Sequence, residues 1–302
     1  MARKKRKKKK KSSDWFGFEM KTMTSSVTFD TSYRAFLIIL AAGVCLAGII
    51  FGFIKLDQYI QAVSPVSEKY GFVELIDKPG WFNSDLVRKV ELAVGGEEFA
   101  LDKTSARMVA ENLKDLPWLY EVKTQTTNKS VQIRAQYRKP LALVKSSRKM
   151  YYISADLVVL DYVPIAKLAI VEIKGASSPP PVGTVWDTDE IASAVELLKV
   201  LAKMDEISTP GSPLLKEIAS IETSNIGGRR SSRKPHIVMY ANDGTQVFWG
   251  AAVGESSRYL EASDKEKLAM LYGFFKEHGS IQGRVKYIEL RNPQKELPLP
   301  KR

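Results

Sequence analysis

The longest apolar run of the chain covers residues 35–54 and reads AFLIILAAGVCLAGIIFGFI, twenty positions without a charge. An α-helix rises about 1.5 Å per residue, so twenty helical residues reach about 30 Å, the thickness of the hydrocarbon core of a bilayer. The sequence has no second run of this kind. It therefore predicts a single transmembrane helix, with the preceding and the following residues on opposite sides of the membrane.

The basic residues before this run predict its orientation. Residues 1–34 contain eleven Lys and Arg against three Asp and Glu, a net charge of +8 out of the +12 of the whole chain. Segments rich in Lys and Arg beside a membrane span stay on the cytoplasmic side. We therefore predict a cytoplasmic N-terminus, and we expect the tail to contact anionic membrane lipids. The residues that we take as topology determinants are Lys4, Lys5, Arg6 and Arg34.

The N-terminal segment has two other interpretations. A polybasic run is also typical of nuclear localisation signals and nucleic-acid-binding patches, but the apolar run that follows disfavours both, so we expect no nucleic-acid partner. An apolar run near the N-terminus can also belong to a cleaved secretory signal. The apolar region of such a signal covers only about 7–15 residues, and the longer run here favours an uncleaved anchor.

The residues after the anchor are numerous enough for one or two folded domains. The 248 residues after position 54 contain no cysteine, because the only cysteine of the chain, Cys45, lies in the apolar run. A core of this size needs no disulfides. The predicted segments are a basic cytoplasmic tail (1–34), the transmembrane helix (35–54), a juxtamembrane stem (55–70), a small domain (71–140), a β domain (141–293) and a tail (294–302).

The small domain shows the pattern of a β-α-α-β-β module. Its two helices each follow a capping residue, and its last two strands alternate apolar with polar side chains. The predicted elements are a strand at 72–76, a helix capped by Asn83 or Ser84, a second helix capped by Asp102, and strands at 120–126 and 131–137.

Two short motifs in this module resemble those of a known family. Leu116-Pro117-Trp118-Leu119 follows the second predicted helix, and Arg138-Lys139-Pro140 follows the last strand. A β-α-α-β-β module with these motifs, directly after one N-terminal span, resembles a POTRA domain. The wider layout resembles the FtsQ/DivIB family of bacterial cell-division proteins. The matched motif positions are Leu116, Pro117, Trp118, Arg138 and Pro140, and among them Trp118 is expected in the core.

The second part, residues 141–293, predicts a larger mixed or antiparallel β-sheet with helices, so the whole extracytoplasmic part is assigned to the α+β class. Residues 241–244 read ANDG, which predicts a hairpin turn between two strands. Residues 227–234 include four Arg and Lys, and we favour a mobile, solvated loop over a binding patch. Candidate capping boxes are Asp187 with Glu190 and Ser263 with Glu266.

The sequence contains no motif for catalysis or metal binding. The extracytoplasmic part has two histidines, His236 and His278, and it lacks HExxH, CxxC and GxSxG segments and a phosphate-binding glycine loop. Acidic pairs such as Glu97 and Glu98 are common in turns. The sequence therefore predicts no enzymatic activity, no cofactor and no metal site, although it leaves open a pair of carboxylates across a cleft.

Protein binding is the function that this pattern favours. An edge strand can pair with an extended segment of a partner, and the last predicted strand, 285–291, resembles the final strand of the family. Ile288 and Leu290 should face the core. The resemblance implies a non-enzymatic scaffold at the division septum, whose partners are the small bitopic proteins FtsB and FtsL. The candidate partner-binding residues are Val285, Tyr287, Glu289 and Arg291.

Two other functions fit the same sequence. A POTRA-bearing adaptor for protein translocation or envelope assembly would bind many extended client segments and would be dispersed along the envelope. A membrane-anchored wall hydrolase would cleave wall material, but the absence of a catalytic motif disfavours it.

Overall fold

The computed structural model describes residues 33–63, 70–96, 98–102, 104–147, 149–166 and 168–292. The predictions for Lys4, Lys5, Arg6, Glu97 and the tail 294–302 lie outside these residues, and the side chain of Arg34 lies outside the described part as well. The chain divides into two compact units, residues 1–65 and 66–302.

The first unit contains one described helix, α1, at Tyr33–Val63. Its segment Phe36–Tyr59 is long and apolar enough to cross a membrane, and no other helix in the described ranges is. The helix continues beyond the predicted span 35–54, so the first half of the predicted stem is helical. The physical reason is that no Gly or Pro occurs between Lys55 and Val63 to end the hydrogen-bond ladder.

The second unit begins with a four-stranded sheet and two helices. The sheet order is β2-β1-β4-β3; β1 and β4 are parallel, and the other neighbours are antiparallel. The predicted order of strand, two helices and two strands is present, with a two-residue strand added between the helices. The elements are β1 (Tyr70–Leu75), α2 (Ser84–Val94), β2 (Phe99–Ala100), α3 (Ser105–Leu113), β3 (Leu119–Thr126) and β4 (Ser130–Tyr137).

The N-cap predicted for α2 is confirmed, and the one predicted for α3 is not. Asn83 caps α2 as predicted, because its side chain accepts a hydrogen bond from the Leu86 N–H at 3.1 Å. The prediction that Asp102 caps α3 is wrong, since the N-cap is Thr104. The Asp102 carboxylate instead accepts hydrogen bonds from the N–H and hydroxyl of Thr104 and from the Ser105 hydroxyl, which shape the turn before the helix.

An eight-stranded mixed sheet with two helices follows. The strand order is β12-β11-β10-β9-β8-β5-β6-β7, in which β11/β12, β5/β8 and β8/β9 are parallel pairs. The elements are β5 (Pro140–Ser146), β6 (Lys149–Ser154), β7 (Val159–Asp161), β8 (Val171–Lys174), α4 (Asp189–Ser208), β9 (Ile218–Glu222), β10 (Ile237–Ala241), β11 (Gln246–Gly250), α5 (Asp264–His278) and β12 (Tyr287–Glu289).

Both helices of the larger sheet contribute to one core. Leu198 of α4 and Leu271 of α5 are buried in one cluster with core-facing strand residues such as Ile221, Met239 and Val247. The other face of the sheet is buried at one end and partly exposed at the other. At β6 and β7, residues such as Tyr152 and Leu160 join the core of the first sheet. The described part of the second unit is therefore a mixed α+β structure whose two sheets share buried residues.

The two predicted capping boxes have different outcomes. Ser263 and Glu266 form a complete capping box at the start of α5, as predicted. The box of Asp187 with Glu190 is wrong, because α4 begins at Asp189 after Thr188 and has no side-chain cap. Glu190 instead accepts from Arg229. A partner 39 residues away in the chain thus replaces the predicted local cap.

Candidate protein-binding site

Strand β12 forms one edge of the larger sheet. Only alternate residues of its backbone form hydrogen bonds to the neighbouring strand β11. The Gln246 N–H donates to the Lys286 carbonyl at 3.2 Å, and the Leu290 N–H donates to the Phe248 carbonyl at 3.1 Å. In a parallel pair, alternate residues of one strand bond to the other. Residues 286, 288 and 290 therefore bond to β11, and the N–H and C=O groups of Tyr287 and Glu289 point to the open side.

The opposite edge of this sheet is covered at its start. On β7, the Val159 N–H donates to the Thr184 carbonyl at 2.9 Å, and the Gly183 N–H donates to the Val159 carbonyl at 2.8 Å. Val158 and Val185 form a further antiparallel bridge. Among the described residues, a further segment therefore pairs with β7 at Val159, whereas no segment pairs with the outer side of β12.

The side chains of β12 alternate as predicted. Ile288 and Leu290 are buried, whereas Tyr287 is 36% exposed. The ring of Tyr287 stacks on that of Phe248, with centroids 5.1 Å apart and planes 22° from parallel. Val285 corrects the predicted set, because its side chain is buried with the core residues and is therefore closed to a partner.

Glu289 and Arg291 form a pair that fixes the end of the strand. The Arg291 guanidinium donates to both Glu289 carboxylate oxygens, at 2.9 and 2.8 Å, and the Arg291 N–H donates to the same carboxylate at 3.0 Å. These hydrogen bonds raise the pKa of Arg291. The Arg291 carbonyl accepts from the Ala262 N–H at 2.8 Å. The unpaired backbone is thus confined to Tyr287 and Glu289.

The sheet face beside this edge carries aromatic and aliphatic side chains. Tyr240 and Tyr287 flank Gln246 in one row of the sheet, and Val238 and Phe248 lie in the neighbouring row. All are partly or largely exposed, because α4 and α5 pack on the other face. We define these four apolar residues as the aromatic face: Val238, Tyr240, Phe248 and Tyr287. The sequence alone did not identify Val238, Tyr240 and Phe248. The alternation of residues in β10 and β11 could have shown that they share the face opposite to the core.

The matched motif residues lie elsewhere, at the junction between the two sheets. Trp118 is fully buried and its Nε1 donates to the Asp161 carboxylate at 2.9 Å. Arg138 donates to the Pro117 carbonyl and to the Asp156 carboxylate, both at 2.8 Å. Leu116 and Pro140 are buried beside them. These residues join the first sheet to the second, and the structure does not bring them to β12.

The Arg138–Asp156 contact should weaken in acid. Burial alone would raise the pKa of Asp156, but hydrogen bonds from Ser154 and Arg138 outweigh it and hold this pKa below its usual value. Because the folded pKa lies below the unfolded one, the stabilisation is complete above about pH 4 and is lost as the pH falls through the folded pKa.

We therefore expect Asp156→Asn to remove part of the acid dependence of the melting temperature of the full chain, measured in detergent from about pH 3 to pH 7. Asp115 is exposed and makes no ion pair within the described ranges, so Asp115→Asn serves as the control. Equal acid dependence in the wild type and in Asp156→Asn would contradict the prediction.

No candidate metal site accompanies this edge. Among the described residues, no group of three or more His, Cys, Asp and Glu side chains could hold a metal ion. Neither protein-family models nor curated protein sequences give a match to this chain. The candidate protein-binding site is therefore the open edge of β12 with the aromatic face beside it, in a chain whose described part contains one helix long and apolar enough to cross a membrane.

Proposed function

We propose that this protein is a non-enzymatic, single-pass membrane scaffold of the bacterial cell-division complex, as the resemblance to the FtsQ/DivIB family implies. In this proposal, residues 1–34 lie in the cytoplasm and contact anionic lipids, and α1 crosses the cell membrane. The first sheet acts as a POTRA-like domain, and the second sheet binds partners outside the cytoplasm. The protein would be enriched at the division septum.

The observation that carries the proposal is the difference between the two edges of the larger sheet. A free edge favours aggregation unless it is short, covered or paired with a specific partner. Residues 183–186 cover β7, whereas β12 is short and leaves the backbone groups of Tyr287 and Glu289 unpaired within the described part of the chain. An extended partner segment could pair with these groups.

The aromatic face supports the same mode of binding. A segment added beside β12 would place its alternate side chains on the face that carries Tyr287 and Phe248. Aromatic side chains are enriched in protein interfaces because they bury a large area with little loss of conformational freedom. The resemblance implies FtsB- and FtsL-like partners, which are small bitopic proteins with extracytoplasmic segments.

The Glu289→Pro variant tests strand addition. The Glu289 N–H points to the open side, so proline would remove a donor to the partner and would leave the bonds between β11 and β12 in place. We expect the affinity for copurifying bitopic division proteins to fall at least about tenfold, since a lost backbone hydrogen bond and a clash are combined. A fluorescent fusion should also lose its enrichment at midcell.

Glu289→Ala is the matched control, because it removes the same side chain and keeps the N–H. It should retain most of the copurification and the midcell signal. Unchanged binding and localisation in a folded Glu289→Pro protein would refute strand addition at β12. An even distribution of the wild-type fusion along the envelope would refute the division function itself.

A second candidate, the POTRA-bearing adaptor, is favoured by a groove beside the first sheet. Strand β3 is an edge strand, and a groove of about 590 Å³ lies along it, lined in part by Leu113, Tyr120, Val122 and Val182. Such a groove could hold extended client segments. This candidate predicts binding of many unrelated extended peptides and a dispersed localisation, so the same localisation experiment separates the two functions.

A further inference from the structure

Residues 229–234, Arg-Arg-Ser-Ser-Arg-Lys, form a basic loop that the proposed function does not use. We call it the arginine loop. It contains four cationic residues and two hydroxyl groups and no acidic residue. The sequence predicts a mobile, solvated loop here, with a binding patch as the alternative. In the structure the loop lies between β9 and β10 and is hydrogen-bonded to one buried side chain.

The path of the loop is fixed by one buried side chain. Asn225 is 8% exposed, and its amide nitrogen donates to the carbonyls of Ser231, Lys234 and Pro235 at 3.0–3.1 Å. Its amide oxygen accepts from the N–H groups of Arg230 and Ser231, both at 2.9 Å. The two amide hydrogens are shared among the three carbonyls, and with the two accepted hydrogen bonds they hold residues 230–235.

The charges of the loop fall into two groups. Arg229 is neutralised, because it pairs with Asp189 and Glu190 in the first turn of α4. The other three cations, Arg230, Arg233 and Lys234, are exposed and have no acidic partner in the described part of the chain. Three like charges within five residues repel one another, and a bound anion would relieve this repulsion.

Backbone donors add to these side chains. The N–H groups of Ser232 and Arg233 have no hydrogen-bond partner among the described residues. The loop also has two exposed unpaired guanidinium groups, one ammonium and two hydroxyls. The total number of hydrogen-bond donors is larger than one carboxylate can accept. Phosphate offers more acceptor oxygens, and guanidinium groups match its geometry.

We propose that the arginine loop is a preorganised binding surface for phosphate groups, independent of the β12 edge. Fixing the loop before binding reduces the entropy lost on binding, which is the advantage of the Asn225 clamp. The phosphate groups would belong either to the headgroups of anionic lipids or to a soluble phosphate polymer. These two sources share one chemistry and are separated by experiment.

The test uses the full chain in nanodiscs and follows hydrogen–deuterium exchange at Ser232 and Arg233. In one arm the nanodiscs contain only phosphatidylcholine and the probe is inorganic polyphosphate. In the other arm the nanodiscs contain phosphatidylglycerol and no soluble phosphate is added. Slower exchange at these two amides in the first arm identifies a soluble polymer, and slower exchange in the second identifies a lipid headgroup. No change in either arm would overturn the proposal.

A charge-matched pair of variants tests whether the loop itself is the site. Arg230→Gln/Arg233→Gln/Lys234→Gln should weaken binding in the responding arm at least about tenfold, because three charge-assisted contacts are lost. The control Lys203→Gln/Lys265→Gln/Lys276→Gln removes the same charge from exposed helix positions and keeps the basic tail, and it should bind like the wild type. Equal losses in the two variants, or equal binding of polyglutamate in the polyphosphate arm, would overturn the assignment.

Discussion

Trp118→Ala is expected to lower the free energy of unfolding by about 3–5 kcal/mol, the range for truncation of a fully buried tryptophan. The Trp118 side chain has no exposed surface. Its ring meets that of Tyr152 edge-on, with centroids 6.1 Å apart, and its Nε1 donates to Asp161. Asp161 is also the ion-pair partner of Lys89. The truncation would therefore leave a cavity at the junction of the two sheets and would remove one of the two side-chain donors to Asp161.

The measurement is chemical unfolding of the full chain in detergent micelles, followed by near-ultraviolet circular dichroism. Trp118→Phe keeps most of the buried ring and loses the hydrogen bond to Asp161, so its expected loss is smaller, about 1–2 kcal/mol. Tyr70→Ala removes an aromatic side chain that is 72% exposed, and we expect a change within about 0.5 kcal/mol. A loss below about 1 kcal/mol for Trp118→Ala would contradict the role given to this residue.

This prediction also explains what the matched motifs do. Trp118 and Arg138 contact residues of the second sheet, and neither lies at the open edge. A resemblance found through these residues therefore concerns how two sheets are joined. It carries no direct information about whether β12 binds a partner, so a substitution at Glu289 is the test of that proposal.

Local elements could be predicted from the sequence. The Asn83 cap, the Ser263 capping box and the hairpin between β10 and β11 each depend on a few neighbouring residues, and these three predictions are confirmed. The alternation in β12 gave the correct inward positions, Ile288 and Leu290, because a strand has a period of two residues.

Features that depend on distant contacts could not be predicted. The parallel placement of β8 between β5 and β9, and the closure of β7 by residues 183–186, require knowledge of which segments meet. The Asp187 box is wrong because α4 has Thr188 as its N-cap, and Glu190 pairs with the distant Arg229. Val285 was assigned to a partner because strand alternation was extended to it, but Val285 lies before β12 and is buried.

The status of β12 as an open edge is a property of the whole sheet. Nothing in the residues of the strand itself says that β11 is its only neighbour among the described elements. Likewise, the composition of the arginine loop is visible in the sequence, but the Asn225 clamp joins residues up to ten positions apart. Candidate sites of this kind become visible when the pairing of every strand and loop is known.

A second large effect is expected at the buried ion pair of Lys267 and Glu261. Lys267 has no exposed surface, and its ammonium lies 2.7 Å from the Glu261 carboxylate and 5.3 Å from the centre of the Trp249 ring. Glu261→Gln would leave a buried cation without a counter-charge, at an expected loss of about 3–5 kcal/mol in the free energy of unfolding. The Ala251 N–H, which also donates to Glu261, would keep an acceptor in the glutamine side chain.

The double variant Glu261→Gln/Lys267→Met separates the missing charge from any defect in packing. It removes both charges and keeps similar volumes, so it should recover most of the stability lost in Glu261→Gln. Glu196→Gln breaks an exposed pair with Lys199 on α4 and should change the free energy of unfolding by less than about 0.5 kcal/mol. Because the neighbouring Ala262 N–H holds the Arg291 carbonyl at the end of β12, Glu261→Gln should also increase hydrogen exchange at Leu290. If the double variant is no more stable than Glu261→Gln, the loss comes from packing and the argument from charge is wrong.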